Sequence, residues 1–135
     1  MAEFINPATV PKVTLPSGEE VPCIGMGTFG SDRVSPEDVS AAVGGAIRSG
    51  YRMFDCAACY GNEDQIGKIF KEAFDEGGVE RKELFIMTKV WNDMHRKVEE
   101  ACDKSIQDLQ CDYVDLYFIH WPCFRKLFSE FKCLL

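Results

Sequence analysis

Gly50-Tyr51-Arg52-Met53-Phe54-Asp55-Cys56-Ala57-Ala58-Cys59-Tyr60-Gly61-Asn62-Glu63-Asp64-Gln65-Ile66-Gly67 decides the fold, because it runs strand, loop, helix. Tyr51 to Phe54 is a short, aromatic-rich apolar run that closes on Asp55. The loop ends on Asn62, a predicted N-cap, and Gln65 stands at the third helical position, where a capping box needs its second partner. Asp55 is therefore expected at a strand end, with Tyr60 on the loop above it.

Outward from this stretch the same unit recurs. Upstream, residues 12–15 and 20–24 flank Pro16-Ser17-Gly18-Glu19 and predict a small hairpin. Residues 23–30 then read as a glycine-dotted strand ending in Thr28 and Phe29. Ser35 is a good N-cap and Pro36 suits the first helical position. Val39, Ala42, Val43, Ala46 and Ile47 recur at helical spacing until Gly50. Downstream, Ile66, Ile69, Phe70, Ala73 and Phe74 form a second helical stripe ended by Gly77-Gly78. Residues 84–89 predict a continuously apolar third strand with Lys89 at its far end. Val98, Ala101, Cys102, Ile106 and Leu109 predict a third helix. Residues 113–121 predict a fourth strand, and its closing polar side chain is His120.

Alternation of strand and helix means parallel strands covered by helices. In a doubly wound sheet the first strand-to-helix turn carries a phosphate-cradling G-x-G-x-x-G, which Gly25-Met26-Gly27-Thr28-Phe29-Gly30 spells. Those glycines do not open the helix, which starts only near Ser35. A (β/α)8 barrel accounts for more: its active residues come from the C-terminal ends of successive strands, and here those ends deliver Thr28, Asp55, Lys89 and His120 in order. The predicted fold is α/β, an N-terminal hairpin followed by the first half of such a barrel, with four parallel strands and three helices in one domain over residues 1–135.

Composition narrows the function classes. The 135 residues are 46% apolar and 27% charged, as in one globular unit, with a net charge of -7 that opposes nonspecific nucleic-acid binding. The first residues show neither a secretory signal nor a membrane span, so a cytoplasmic location without membrane partners is expected. Seven irregularly spaced cysteines fit a reducing compartment better than a disulfide framework. Cys56-Ala57-Ala58-Cys59 has the spacing of a thiol redox or metal module, but no helix starts directly beneath it and no second ligand pair accompanies it. No metal is expected.

Three blocks carry a resemblance to a known family. Gly50 to Gly67 matches a G-Y-R-x-hydrophobic-D signature followed by small residues and Y-G-N-E; Thr88-Lys89-Val90-Trp91 and residues 112–122 match two later strand motifs. The chain resembles the aldo-keto reductases, most closely plant-type members, from Val13 to Pro122. The resemblance implies an NADPH-dependent reductase of a small-molecule aldehyde or ketone, with Asp55, Tyr60, Lys89 and His120 as catalytic tetrad. Thr28 and Asp55 are then expected near the nicotinamide end of the cofactor, and Phe29, Trp91, His120 and Trp121 around the substrate.

Carbonyl reduction explains why these residue types belong together. Hydride on carbon leaves negative charge on oxygen, so the site must donate a proton and stabilise the oxyanion. Tyr60 is the expected donor, Lys89 the cation that makes its phenolic proton easier to give, Asp55 the anchor of Lys89, and His120 the group that orients the carbonyl. Taken singly, each has a plainer role: a structural ion pair for Lys89 and Asp55, a satisfied core histidine for His120, packing for Tyr60, Trp91 and Trp121. Their joint arrival at strand ends favours the catalytic assignment.

A complete barrel of this kind needs about 250 residues. A truncated domain is therefore expected, with residues 123–135 as a divergent tail whose Phe124, Leu127, Phe128, Phe131, Leu134 and Leu135 fall on one helical stripe. The family places its adenine-ribose-phosphate contacts and substrate-selecting segments mainly later. Unpaired edges on the first and fourth strands favour self-association through the open half-barrel. The alternative function is a catalytically silent fragment that acts, if at all, as an interaction partner.

Overall fold

A computed structural model describes residues 5–122. Strands β1 (Lys12–Thr14) and β2 (Glu20–Pro22) pair antiparallel, with Val13 opposite Val21, as the hairpin at the front of the chain. Strands β3 (Met26–Gly27), β4 (Met53–Asp55), β5 (Phe85–Val90) and β6 (Leu116–Ile119) form a second sheet, wholly parallel, in the order β3-β4-β5-β6. Spatial order follows chain order without reversal. A doubly wound sheet must reverse at its ligand crevice, so this topology is the first half of a (β/α)8 barrel.

The crossovers are helices α1 (Pro36–Arg48), α2 (Glu63–Asp75) and α3 (Val98–Asp108). Ser35 caps α1, its Oγ accepting from Asp38 N at 3.1 Å, and Pro36 takes the first turn, where no amide is needed. Val39, Val43 and Ile47 of α1 and Ile66 and Phe70 of α2 pack with Phe54 of β4, Ile86 of β5 and Leu109 in one core. Phe54 and Phe70 meet edge-on at 5.3 Å. Fully burying such side chains contributes about 1.5–3 kcal/mol each, enough to fix strand register. With Phe54 and Ile86 turned to the helices, the two-residue period of a strand turns Asp55, Met87 and Lys89 to the opposite, concave face.

Two glycines allow close approaches. Gly50 has φ +100°, and a Cβ there would lie 2.4 Å from the Ile5 carbonyl oxygen. Gly67, last residue of the signature, lets α2 press on the end of α3: a Cβ would lie 2.0 Å from Asp108 O. Both obstacles are backbone and cannot rotate away.

The structure corrects three sequence expectations. The capping box on α2 does not form: Asn62 makes no cap hydrogen bond, and its Nδ2 donates to Thr28 O at 2.9 Å instead. A carbonyl buried at the end of β3 needs a donor, and Asn62 supplies it. Gln65 Oε1 is left buried without a hydrogen-bond partner among the described residues. The first parallel strand pairs only through Met26 and Gly27, shorter than residues 23–30. The fourth spans 116–119 rather than 113–121, because the segment before it is fastened by a side chain: Arg81 donates from Nη2 to Tyr113 O at 2.7 Å and to Asp115 Oδ2 at 2.8 Å.

Among the described residues, β3 pairs only with β4 and β6 only with β5, so the sheet has two open edges. Ile119 on β6 is 63% exposed. The tail helix expected over 123–135 lies outside the described residues. No helix among the described residues is long and apolar enough to cross a membrane.

Candidate active site

Asp55, Lys89 and His120 arrive on the concave face by the chain geometry just described. Asp55 closes β4 and Lys89 is the fifth residue of β5, adjacent in the sheet. Tyr60 ends the 3-10 turn Ala58–Tyr60, which brings the chain back over β4 before Gly61 turns it into α2. His120 follows β6, its backbone amide donating to Val90 O at 3.2 Å.

Lys89 is the hub. Its Nζ donates to Asp55 Oδ1 at 2.6 Å, to Cys56 O at 2.7 Å and to Tyr60 Oη at 3.3 Å. An ammonium has three protons and no acceptor, so all three are placed. Burial pulls this ammonium toward neutrality, but hydrogen bonds and charge at Asp55 and Tyr60 outweigh it, and the net shift is above the ordinary lysine value. Lys89 therefore stays charged. Since the Tyr60 oxygen accepts from Lys89, its own proton is not given to Lys89.

The floor beneath is built by Thr28, which is fully buried. Its backbone amide and its hydroxyl both donate to Asp55 O, at 3.1 and 3.0 Å. These bonds fix the peptide that carries the carboxylate. Behind the sheet, Glu63 is 5% exposed and accepts from Thr88 Oγ1 at 2.5 Å and Ser105 Oγ at 2.9 Å, tying the start of α2 to β5 and α3. Burial raises the Glu63 carboxyl above the usual carboxylate range, against the two hydroxyl donors.

Aromatic rings form the walls. Phe29 lies 5.1 Å from the Tyr60 ring, and His120 meets Tyr60 edge-on at 5.7 Å and Trp91 edge-on at 5.1 Å. Trp121, 56% exposed, stacks on His120 at 6.1 Å. Burial, then the Lys89 charge, hold the His120 imidazole below its ordinary pKa, with Asp55 opposing. His120 Nδ1 lies 3.5 Å from Cys59 Sγ.

All the residues read from the sequence as site candidates thus gather in one place. Two partners were missed. Cys56 contributes its carbonyl to Lys89, which no side-chain pattern signals, and Cys59 contacts His120, for which its position next to Tyr60 was the available clue. The Cys56 thiol is fully buried and pushed up to about 12 by that burial, unsuited to redox exchange at neutral pH. Among the described residues, no group of three or more His, Cys, Asp or Glu side chains is placed to hold a metal ion. Two surface cavities, of about 330 and 440 Å³, include none of Asp55, Tyr60, Lys89 and His120, which lie on an open concave surface.

A half-barrel with a lysine-centred polar cluster at its C-terminal strand ends defines the class of protein, one built on the α/β barrel fold. Comparison with known proteins specifies it. The model of the family described as "Aldo/keto reductase family" matches residues 23–130. The chain belongs to the aldo/keto reductase family. It is 48% identical over 108 residues to an aldose reductase of Encephalitozoon cuniculi, covering 80% of this chain and 35% of that protein. It is also 48% identical over 110 residues to the NADP-dependent D-sorbitol-6-phosphate dehydrogenase of Malus domestica, covering 82% and 34%. An aldo-keto reductase of Bombyx mori, solved in complex with NADP, superposes with a TM-score of 0.80 at 41% identity, over 85% of this chain and 39% of that one. The chain spans about a third of the length of the curated relatives it matches.

Proposed function

We propose that this chain carries the proton-donating half-site of an NADPH-dependent reductase of small aldehydes or ketones. The observation that supports it best is the distribution of the three Lys89 protons over Asp55, Cys56 O and Tyr60, in which the Tyr60 oxygen accepts and so keeps its own proton for another acceptor. A carbonyl oxygen can only accept, and Tyr60 is placed to donate to it. As negative charge grows on that oxygen, the fixed Lys89 charge stabilises the phenolate that remains after transfer.

The residues present fit the cofactor's reactive end. The Asp55 side chain keeps 39% of its surface open, and Phe29 and Trp121 present exposed aromatic surface for a planar ring. Asp55 would meet the nicotinamide end, and Thr28 would act there by holding Asp55. When bound, the cofactor supplies hydride. His120 then orients the carbonyl, while Trp91 and Trp121 line the substrate side and exclude water. A cytoplasmic location accords with the aldo/keto reductase family.

Titration of NADPH into the purified chain, followed by nicotinamide fluorescence, tests this function. Saturable binding and NADPH consumption with a panel of aldehydes and ketones are expected. The open edges of β3 and β6 favour a second reading, in which the chain is catalytically silent and associates through its half-core. Folded protein that binds no NADPH but self-associates on size exclusion would favour it.

A further inference from the structure

Cys59 makes a polar contact with Nδ1 of His120. Its Sγ lies 3.5 Å from Nδ1, while the rings of Tyr60, Trp91 and Trp121 stand around the imidazole as aromatic surfaces. A neutral imidazole carries one proton, and whichever nitrogen lacks it must accept. A carbonyl oxygen in the site needs a donor, which requires the proton on Nε2. Nδ1 must then accept, and the thiol beside it has a proton to give.

We propose that Cys59 is a positioning residue: its S–H donates to His120 Nδ1, holding the ring in the tautomer whose Nε2–H faces the substrate oxygen. This deepens the reductase function proposed above and rests on it for its catalytic meaning, but the hydrogen bond exists without substrate. Cys59 also directly precedes Tyr60 on the same 3-10 turn, so one short segment sets both the proton donor and the orienting group. A thiol is a weak donor. It suffices here because it only has to choose between two neutral forms of one ring.

Imidazole 15N NMR of the full chain reads the tautomer directly, and the chain has only two histidines, so a His95→Gln variant assigns the signals. The wild type is expected to show His120 predominantly as Nε2–H. Cys59→Ala should give a mixture of tautomers, and Cys59→Ser, which keeps a donor, should restore most of the Nε2–H form. In turnover, Cys59→Ala should lower kcat about tenfold, with KM changed less than about twofold, the loss of roughly one hydrogen bond. Wild-type His120 protonated on Nδ1, or an Nε2–H population unchanged in Cys59→Ala, would overturn the proposal. A chain without turnover but with the tautomer shift would contradict the reductase function and leave the Cys59 contact standing.

Discussion

Lys89 Nζ lies 2.6 Å from Asp55 Oδ1 across the β4–β5 boundary, and the same nitrogen reaches Tyr60 Oη at 3.3 Å. The carboxylate thus helps determine where the ammonium sits, beside the phenol oxygen. Asp55→Asn keeps an acceptor for Lys89 but removes the charge that strengthens the bond. It should lower kcat/KM for carbonyl reduction about tenfold or more, with the far-ultraviolet spectrum unchanged. Steady-state kinetics at neutral pH checks this.

Glu63 holds three elements through two hydroxyls, and its burial opposes its charge. Its folded pKa is raised above the unfolded value, so its charge costs stability once pH rises through the unfolded value near 4.5. Glu63→Gln retains an acceptor without the charge and should stay within about 1 kcal/mol of wild type at neutral pH. Glu63→Ala leaves Thr88 and Ser105 buried without their acceptor and should cost about 1–3 kcal/mol. Urea unfolding of both variants separates the two effects.

Gly67 is where α2 meets the end of α3. Gly67→Ala drives a methyl group into the carbonyl of Asp108, and neither backbone can yield by rotating a side chain. A loss of about 1–3 kcal/mol is expected, at the level of core overpacking. An unchanged unfolding midpoint would contradict the close approach.

The folded pKa of His120 lies below its unfolded value near 6.5. For such a group the unfolded chain binds the extra proton, so its contribution to stability is complete above about pH 6.5 and is lost as pH falls through the lowered folded value. Unfolding midpoints from about pH 7 to pH 5 should fall more steeply for wild type than for His120→Gln, the difference isolating this group from Glu63.

Much of this architecture is legible in the residues. Asp55, Lys89 and His120 each follow an apolar run between amphipathic helices, so periodicity alone puts them at successive strand ends, and parallel topology brings those ends together. Two kinds of feature stayed hidden. Glu63, Thr88 and Ser105 belong to three elements far apart in the chain, and no local pattern announces that their side chains meet. Asn62 looked like a cap because its neighbours suit one, but a buried carbonyl at Thr28 claimed its side chain. The residues before β6 looked like strand because they are apolar and aromatic, whereas Arg81 holds them through Tyr113 O and Asp115.

The most direct test of the account compares NADPH-dependent carbonyl reduction by the wild-type chain and by Tyr60→Phe. Removing one hydroxyl leaves the ring, its packing on Phe29 and the Lys89–Asp55 pair in place. The predicted result is measurable reduction by the wild type and a loss of about 100-fold or more in the variant, the size of a general-acid contribution. Comparable rates in the two proteins would contradict the assignment of Tyr60 as proton donor.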